Sequence, residues 1–478
     1  MPRPGGPTFP IMGSRARHAA SFLTAALAAA PLALVPGTAA RAAAPGTIVL
    51  ERDGGARTIA FTADRAGEAV LGFTAAAPGV SWGRAGAESA VVAVAVDGRH
   101  VTDVVVPSSD PVPRGFGLGH VEEGPHEVTL RFADASAAAA RSVALAAPRV
   151  AVPEAGQLAL RHAPVIVGRT GWPFGDPRQN ARTDAPLVAW HETRPAATAG
   201  HRVIEYSLVW SNEDGGTDTP GLLARWGRTS DIEWTYRVEV DASGARVPGT
   251  AVYHGPFHVT LNFAGRYERD HPVLQTCTQN NNLCDVVSPG APLRFLPDAS
   301  RTRPDGRARE AVMDREPWTY RVMAQELVRE GKVEAPSDPA TPEAGDPRAY
   351  LFVEFAMDVG AGTAIGSAPG LALGVRLKGD PSVLYRSDHG RADRTIGRDG
   401  AVATAVELPP GTRTSDIASV KAVRRPTGLG DDRAPITVTA IHRAFMLDDA
   451  FLPGPSALTW DGAVALTPAE PSAVLWRG

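Results

Sequence analysis

Residues 90–106 read AVVAVAVDGRHVTDVVV, two valine-rich runs at 90–96 and 101–106 on either side of Asp97-Gly98. Asp-Gly accepts the left-handed backbone of a tight two-residue turn, so the stretch encodes a β-hairpin. Working outward, short apolar runs recur at 47–50, 58–61, 69–73 and 128–132, with turn residues between them. Regular short strands with such punctuation predict a β-sandwich over 46–150. The pairing of Val96-Asp-Gly-Arg-His-Val101 with Gly124-Pro-His-Glu-Val-Thr-Leu-Arg-Phe132 looks like the jelly-roll accessory modules found beside carbohydrate-active domains. A spacer without a ligand has the same signature, because one fold hosts many functions.

The pattern changes after Val152-Pro-Glu-Ala-Gly156. Five of nine tryptophans fall at 172, 190, 210, 226 and 234, and longer β runs appear at 203–210 and 231–241. This defines a β-rich central region over 155–300. Residues 301–347 are charged and Pro-rich, with one helix expected over 315–330: Pro317 suits its first turn, Gly331 its exit, and Trp318/Val322 and Met323/Leu327 make apolar pairs four residues apart. From 348 to 478 strand patterns return at 350–357, 371–377, 402–408, 417–423 and 435–445. They read equally as a further sandwich or as the completion of the central region. The expected class is all-β, mainly β-sandwich or jelly-roll modules, with one short helix near 315–330.

Ahead of these modules, residues 1–42 carry Arg3, Arg15 and Arg17, an apolar run over 19–35 and a small-residue exit at Ala40-Arg41-Ala42, the pattern of a secretory signal cleaved after Ala42. Met12 begins the same pattern. The chain holds 48 basic and 52 acidic residues, a net charge of -4, and losing residues 1–42 with their four arginines and no acid gives -8. Nucleic acid is an unsuitable partner for such a balance. Residues 357–375 contain Asp358 and five glycines, which excludes a spanning helix there. In an exported protein, Cys277 and Cys284, the only cysteines, are expected to form a disulfide around Thr-Gln-Asn-Asn-Asn-Leu.

Candidate chemistry centres on Asp231-Ile-Glu233-Trp234. Alternation on a strand places the two carboxylates on one face about 7 Å apart. Such a pair divides acid and base roles in glycoside cleavage, or chelates a hard cation. It reads also as a solvated face paired with Arg225, Arg228 or Arg237. Tyr253-His-Gly-Pro-Phe-His258 follows, so Asp231, Glu233 and His258 are the catalytic candidates, with Tyr253, His254 and Trp172 as substrate contacts. Trp172, in Gly171-Trp-Pro-Phe-Gly175, is the candidate sugar-stacking platform. Asn212-Glu-Asp-Gly-Gly-Thr-Asp218 concentrates oxygen donors, making Glu213, Asp214 and Asp218 candidate calcium ligands, although their spacing differs from an EF-hand and a plain acidic loop has the same composition. There is no G-x-S-x-G, H-E-x-x-H, P-loop or strand-linked G-x-G-x-x-G motif.

In chain order, His162-Ala-Pro-Val-Ile166, Ile204-Glu-Tyr-Ser-Leu-Val-Trp210, Ser230-Asp-Ile-Glu-Trp234, Val238-Glu-Val-Asp241, Ala251-Val-Tyr-His254 and His271-Pro-Val273 resemble the vacuolar protein sorting-associated protein 62-like family over about residues 160–275. The match departs from that family's D-W-E element, with Ile232 in place of tryptophan. The resemblance implies a β-rich domain and no particular reaction. Two functions fit these residues: a secreted protein engaging extracellular or cell-envelope polysaccharide as a glycoside hydrolase or lyase, or a non-catalytic surface or adhesion protein with a structural calcium.

Overall fold

The Asp97-Gly98 hairpin forms as its residues dictate. Strands Ala90–Val96 and Arg99–Val106 pair antiparallel, and Asp97 and Gly98 take φ of 49° and 79°. A computed structural model describes residues 46–170, 179–213, 218–360, 369–426 and 433–478. The secretory-signal reading of 1–42, Trp172 and Asp214 lie outside the described residues.

The hairpin belongs to a four-stranded sheet that continues through Gly124–Phe132 to Arg57–Ala63. It packs on a second sheet ordered Ile48–Glu51, Ser142–Ala151, Gly67–Ala76 and Val112–Val121, and the two share a core that includes Leu71, Phe73, Val92 and Leu130. Two of these eight strands, Val112–Val121 and Ser142–Ala151, carry too much glycine and alanine to show in the sequence pattern.

The central region is built on a five-stranded antiparallel meander whose strands lie in chain order: Pro186–Pro195, Arg202–Trp210, Ile232–Val240, Val252–Gly255 and Val259–Asn262. A smaller sheet holds Tyr267–Glu268, His271–Thr276, Val165–Val167 and Arg294–Phe295, with Leu283–Cys284 paired to His271–Thr276. Trp190, Trp210, Tyr206 and Tyr236 fill the core beneath the meander and are fully buried, as expected of large aromatics on alternating strand positions.

Residues 348–478 carry two further sheets with a core between them, and Tyr350, Phe352 and Phe445 from the same stretch join the central core. The sheets are Gly400–Glu407, Tyr350–Val359, Ile436–Phe445, Trp460–Leu466 and, facing them, Tyr385–Arg386, Gly370–Leu377, Ile417–Arg425, Ser472–Arg477. The expected helix is present as Trp318–Arg329, and Gly331 beyond it has φ of 68°. The expectation of a single helix needs correction: Gln157–His162, Thr219–Trp226 and Ala311–Arg315 are helical too. Each is short enough that propensity alone does not announce it. Among the described residues no helix is long and apolar enough to cross a membrane.

Candidate functional site

Glu233 stands near the start of Ile232–Val240, and the hairpin of Val252–Gly255 and Val259–Asn262 is the next pair of strands in the same sheet. Tyr236 and Tyr253 are register partners facing the core, so alternation turns His254 to the opposite face. The hairpin closes through Pro256–His258, with Phe257 and His258 both left-handed at φ of 60° and 58°. That turn folds His258 back over the sheet.

The result is a tight three-residue cluster. His254 Nε2 lies 3.4 Å from Glu233 Oε2 and 3.1 Å from His258 Nδ1, and His258 Nδ1 lies 3.6 Å from Glu233 Oε1. Asn280 Nδ2 meets His258 Nε2 at 3.0 Å. Trp234 meets the His254 ring edge to face at 5.2 Å between centroids. His254 Nδ1 is buried and has no hydrogen-bond partner.

Charge around the cluster follows burial. Desolvation raises the Glu233 carboxyl above its usual range against the pull of Arg309, His258 and Arg228. Desolvation, then His258 and Arg309, lower His254 to about 4, so it is neutral at pH 7. Asp231 is buried, and its carboxyl, pushed well up by desolvation and then by Glu213 and Glu233, accepts a hydrogen bond from Asn281 Nδ2 at 3.1 Å. Asp231 immediately precedes the strand that carries Glu233 and braces the loop that carries Asn280 and Asn281.

The Cys277–Cys284 disulfide closes that loop. Asn281, at φ of 48°, also donates to the Asn212 carbonyl and accepts from Arg169, so the loop is tied at several points. Tyr253 is buried against Phe263 with its hydroxyl directed to Asp285 at 3.4 Å. His254, read as a substrate contact, sits in the three-residue cluster with Glu233 and His258. Of the candidate calcium ligands, Glu213 faces Arg228 at 3.6 Å, and Asp218 accepts two hydrogen bonds from Arg394 at 2.6 and 2.8 Å. Both carboxylates already have cationic partners.

Several arginines gathered on Trp226 come from sequence regions that showed no motif. Arg228, Arg309 and Arg398 lie over the Trp226 ring at 5.5, 5.6 and 3.8 Å. Arg228 is neutralised by Glu310 at 2.9 Å. Arg398 donates to the Arg225 carbonyl, and burial lowers it to about 9. Neither Arg309 nor Arg398 has an acidic partner among the described residues. Glu354, fully buried, accepts bonds from Arg307 and the Ala308 amide, and so fixes the segment that presents Arg309. Arg309 comes within electrostatic reach of Glu233 and His254 by tertiary docking, which leaves no local signal.

No known protein family matches the chain, and no curated protein is detectably similar to it in sequence. Among solved structures, a sugar-binding protein, the EclA C-terminal domain, aligns with 24% of this chain and 84% of its own at 13% identity and a TM-score of 0.17. The CBM35 from Cellvibrio japonicus Abf62 aligns with 22% of this chain and 95% of its own at 12% identity and a TM-score of 0.15. A ruminal GH26 endo-beta-1,4-mannanase aligns with 25% of this chain and 22% of its own at 12% identity and a TM-score of 0.16.

Proposed function

We propose that the protein is an extracellular enzyme that cleaves polysaccharide by hydrolysis or elimination, with Glu233, His254 and His258 as its reaction centre. One observation carries this reading: a carboxylate and two imidazoles converge within 3.6 Å on the face of the central sheet away from its core. Burial shifts the Glu233 carboxyl up and the His254 imidazole down, which sets two proton-exchanging groups of different chemistry side by side. Arg309, which acts on both Glu233 and His254 and forms no ion pair among the described residues, favours a polymer bearing carboxylate or sulfate groups, since a substrate oxyanion offsets its charge.

The full chain is to be assayed against neutral and acidic polysaccharides by release of reducing or unsaturated ends. The expected result is turnover that Glu233→Gln lowers by at least about 100-fold, the scale of a lost general acid. Arg309→Ala is expected to raise KM selectively on acidic polymers. Absence of turnover on every polymer, or full activity in Glu233→Gln, overturns the reading.

A further inference from the structure

We infer that Glu233, His254 Nε2 and His258 Nδ1 form a three-ligand site for a divalent transition ion of the zinc class, with a fourth position open towards solvent. The inference concerns the same cluster as the proposed reaction centre and rests on that assignment only for its location.

The geometry argues for an ion. Two imidazole nitrogens stand 3.1 Å apart, and the carboxylate straddles them at 3.4 and 3.6 Å, one oxygen towards each ring. Tetrahedral coordination with bonds of about 2.0–2.2 Å separates neighbouring ligand atoms by about 3.3–3.6 Å. The three donors therefore already sit at the spacing that a bound ion imposes, with all ligand atoms within 4.8 Å of one another. Nitrogen donors with one carboxylate match zinc-class ions rather than calcium, which takes six to eight oxygens.

The support around the donors points the same way. Asn280 meets the far nitrogen of His258 through its amide; with that amide turned so that Oδ1 accepts the Nε2–H, the ring keeps Nδ1 free to ligate, the role of an outer partner to a ligating histidine. The disulfide-closed loop holds Asn280 in place. His258 is about half exposed while His254 is buried, so the third donor comes from the solvent side and leaves room for water or substrate beside it. Three protein ligands with an open position characterise catalytic rather than structural zinc sites.

The test uses the full chain, stripped with EDTA and titrated with zinc chloride by calorimetry, and with cobalt as a visible-absorption probe. One zinc per chain is expected, together with a rise in melting temperature on zinc addition. His254→Ala and His258→Ala should each weaken binding by at least about tenfold and remove the melting shift. His258 lies at the exposed hairpin tip, so its variant keeps the test valid if His254→Ala fails to fold. His201→Ala, which alters a histidine paired with Glu239, should bind zinc like the unaltered chain.

Absence of saturable uptake at one zinc per chain, or unchanged uptake in His258→Ala, overturns the site. No substrate enters the titration, which separates the two readings. Zinc uptake without polysaccharide turnover upholds the site and sinks the enzyme proposal, whereas turnover by the EDTA-stripped chain with no zinc uptake does the reverse.

Discussion

His162 is fully buried in the central region, where its Nε2–H donates to the Gly244 carbonyl at 3.0 Å and its Nδ1 has no partner. Burial lowers its pKa below the ordinary 6.5. The unfolded chain takes up a proton near 6.5 that the folded form refuses, so this contribution is fully present above 6.5 and is lost as pH falls below it, until the folded group itself titrates. Melting temperature is therefore expected to fall between pH 7.5 and 5.5, and to fall less in His162→Gln. Equal falls in the two proteins would contradict the assignment. Side chains such as Glu233, His254 and His258 were legible in the sequence because acids and imidazoles clustered on predicted strands stand out. That Tyr253 faces inward was not legible, because neighbouring residues on one strand face opposite ways and only its cross-strand pairing with Tyr236 tells which way is inward.

Helix Thr219–Trp226 ends at Gly227, whose φ is 62°. A Cβ there would lie 2.9 Å from the Thr404 backbone nitrogen, so the helix exit presses directly on strand Gly400–Glu407. Thr404 Oγ1 reinforces this contact by donating to the Ala224 carbonyl at 2.6 Å. Gly227→Ala combines a left-handed cost of about 1–2 kcal/mol with this clash. Gly249→Ala, at φ of 76° and with nothing near its Cβ, carries only the first cost. Denaturant unfolding should therefore show a larger loss for Gly227→Ala, and equal losses would mean that the exit is not packed. Elements were legible in proportion to their pattern: the Asp97-Gly98 hairpin and helix Trp318–Arg329 carry turn, capping and periodic signals. Strand Val112–Val121 does not, because glycines at 115, 117 and 119 interrupt its alternation, and Gly117 is there to admit Leu296 from the central region.

Across the whole molecule, the central core is not confined to the central region. Trp82 and Val105 enter it from the first sandwich, and Tyr350, Phe352 and Phe445 from residues 348–478. Polar ties run alongside: Trp82 donates to Glu326 on helix Trp318–Arg329, and Arg443 pairs with Asp314 and Glu354. A core shared in this way couples the modules, and calorimetry of the full chain is expected to give one unfolding transition. Three separable transitions would show that the shared core contributes little. The modules themselves were legible from strand spacing, whereas their docking was not, because contacts between distant segments leave no periodicity in either.

The donor cluster has the opposite character. Glu233, His254 and His258 follow one another along a single antiparallel ribbon, separated by 21 and 4 residues by simple difference of their numbers. Loops this short close at small entropic cost. The cluster can therefore assemble early, as soon as neighbouring strands of the meander pair, without awaiting the slower long-range docking that delivers Arg309. The order of folding thus separates the parts that would do the chemistry from the parts that would choose what it acts on.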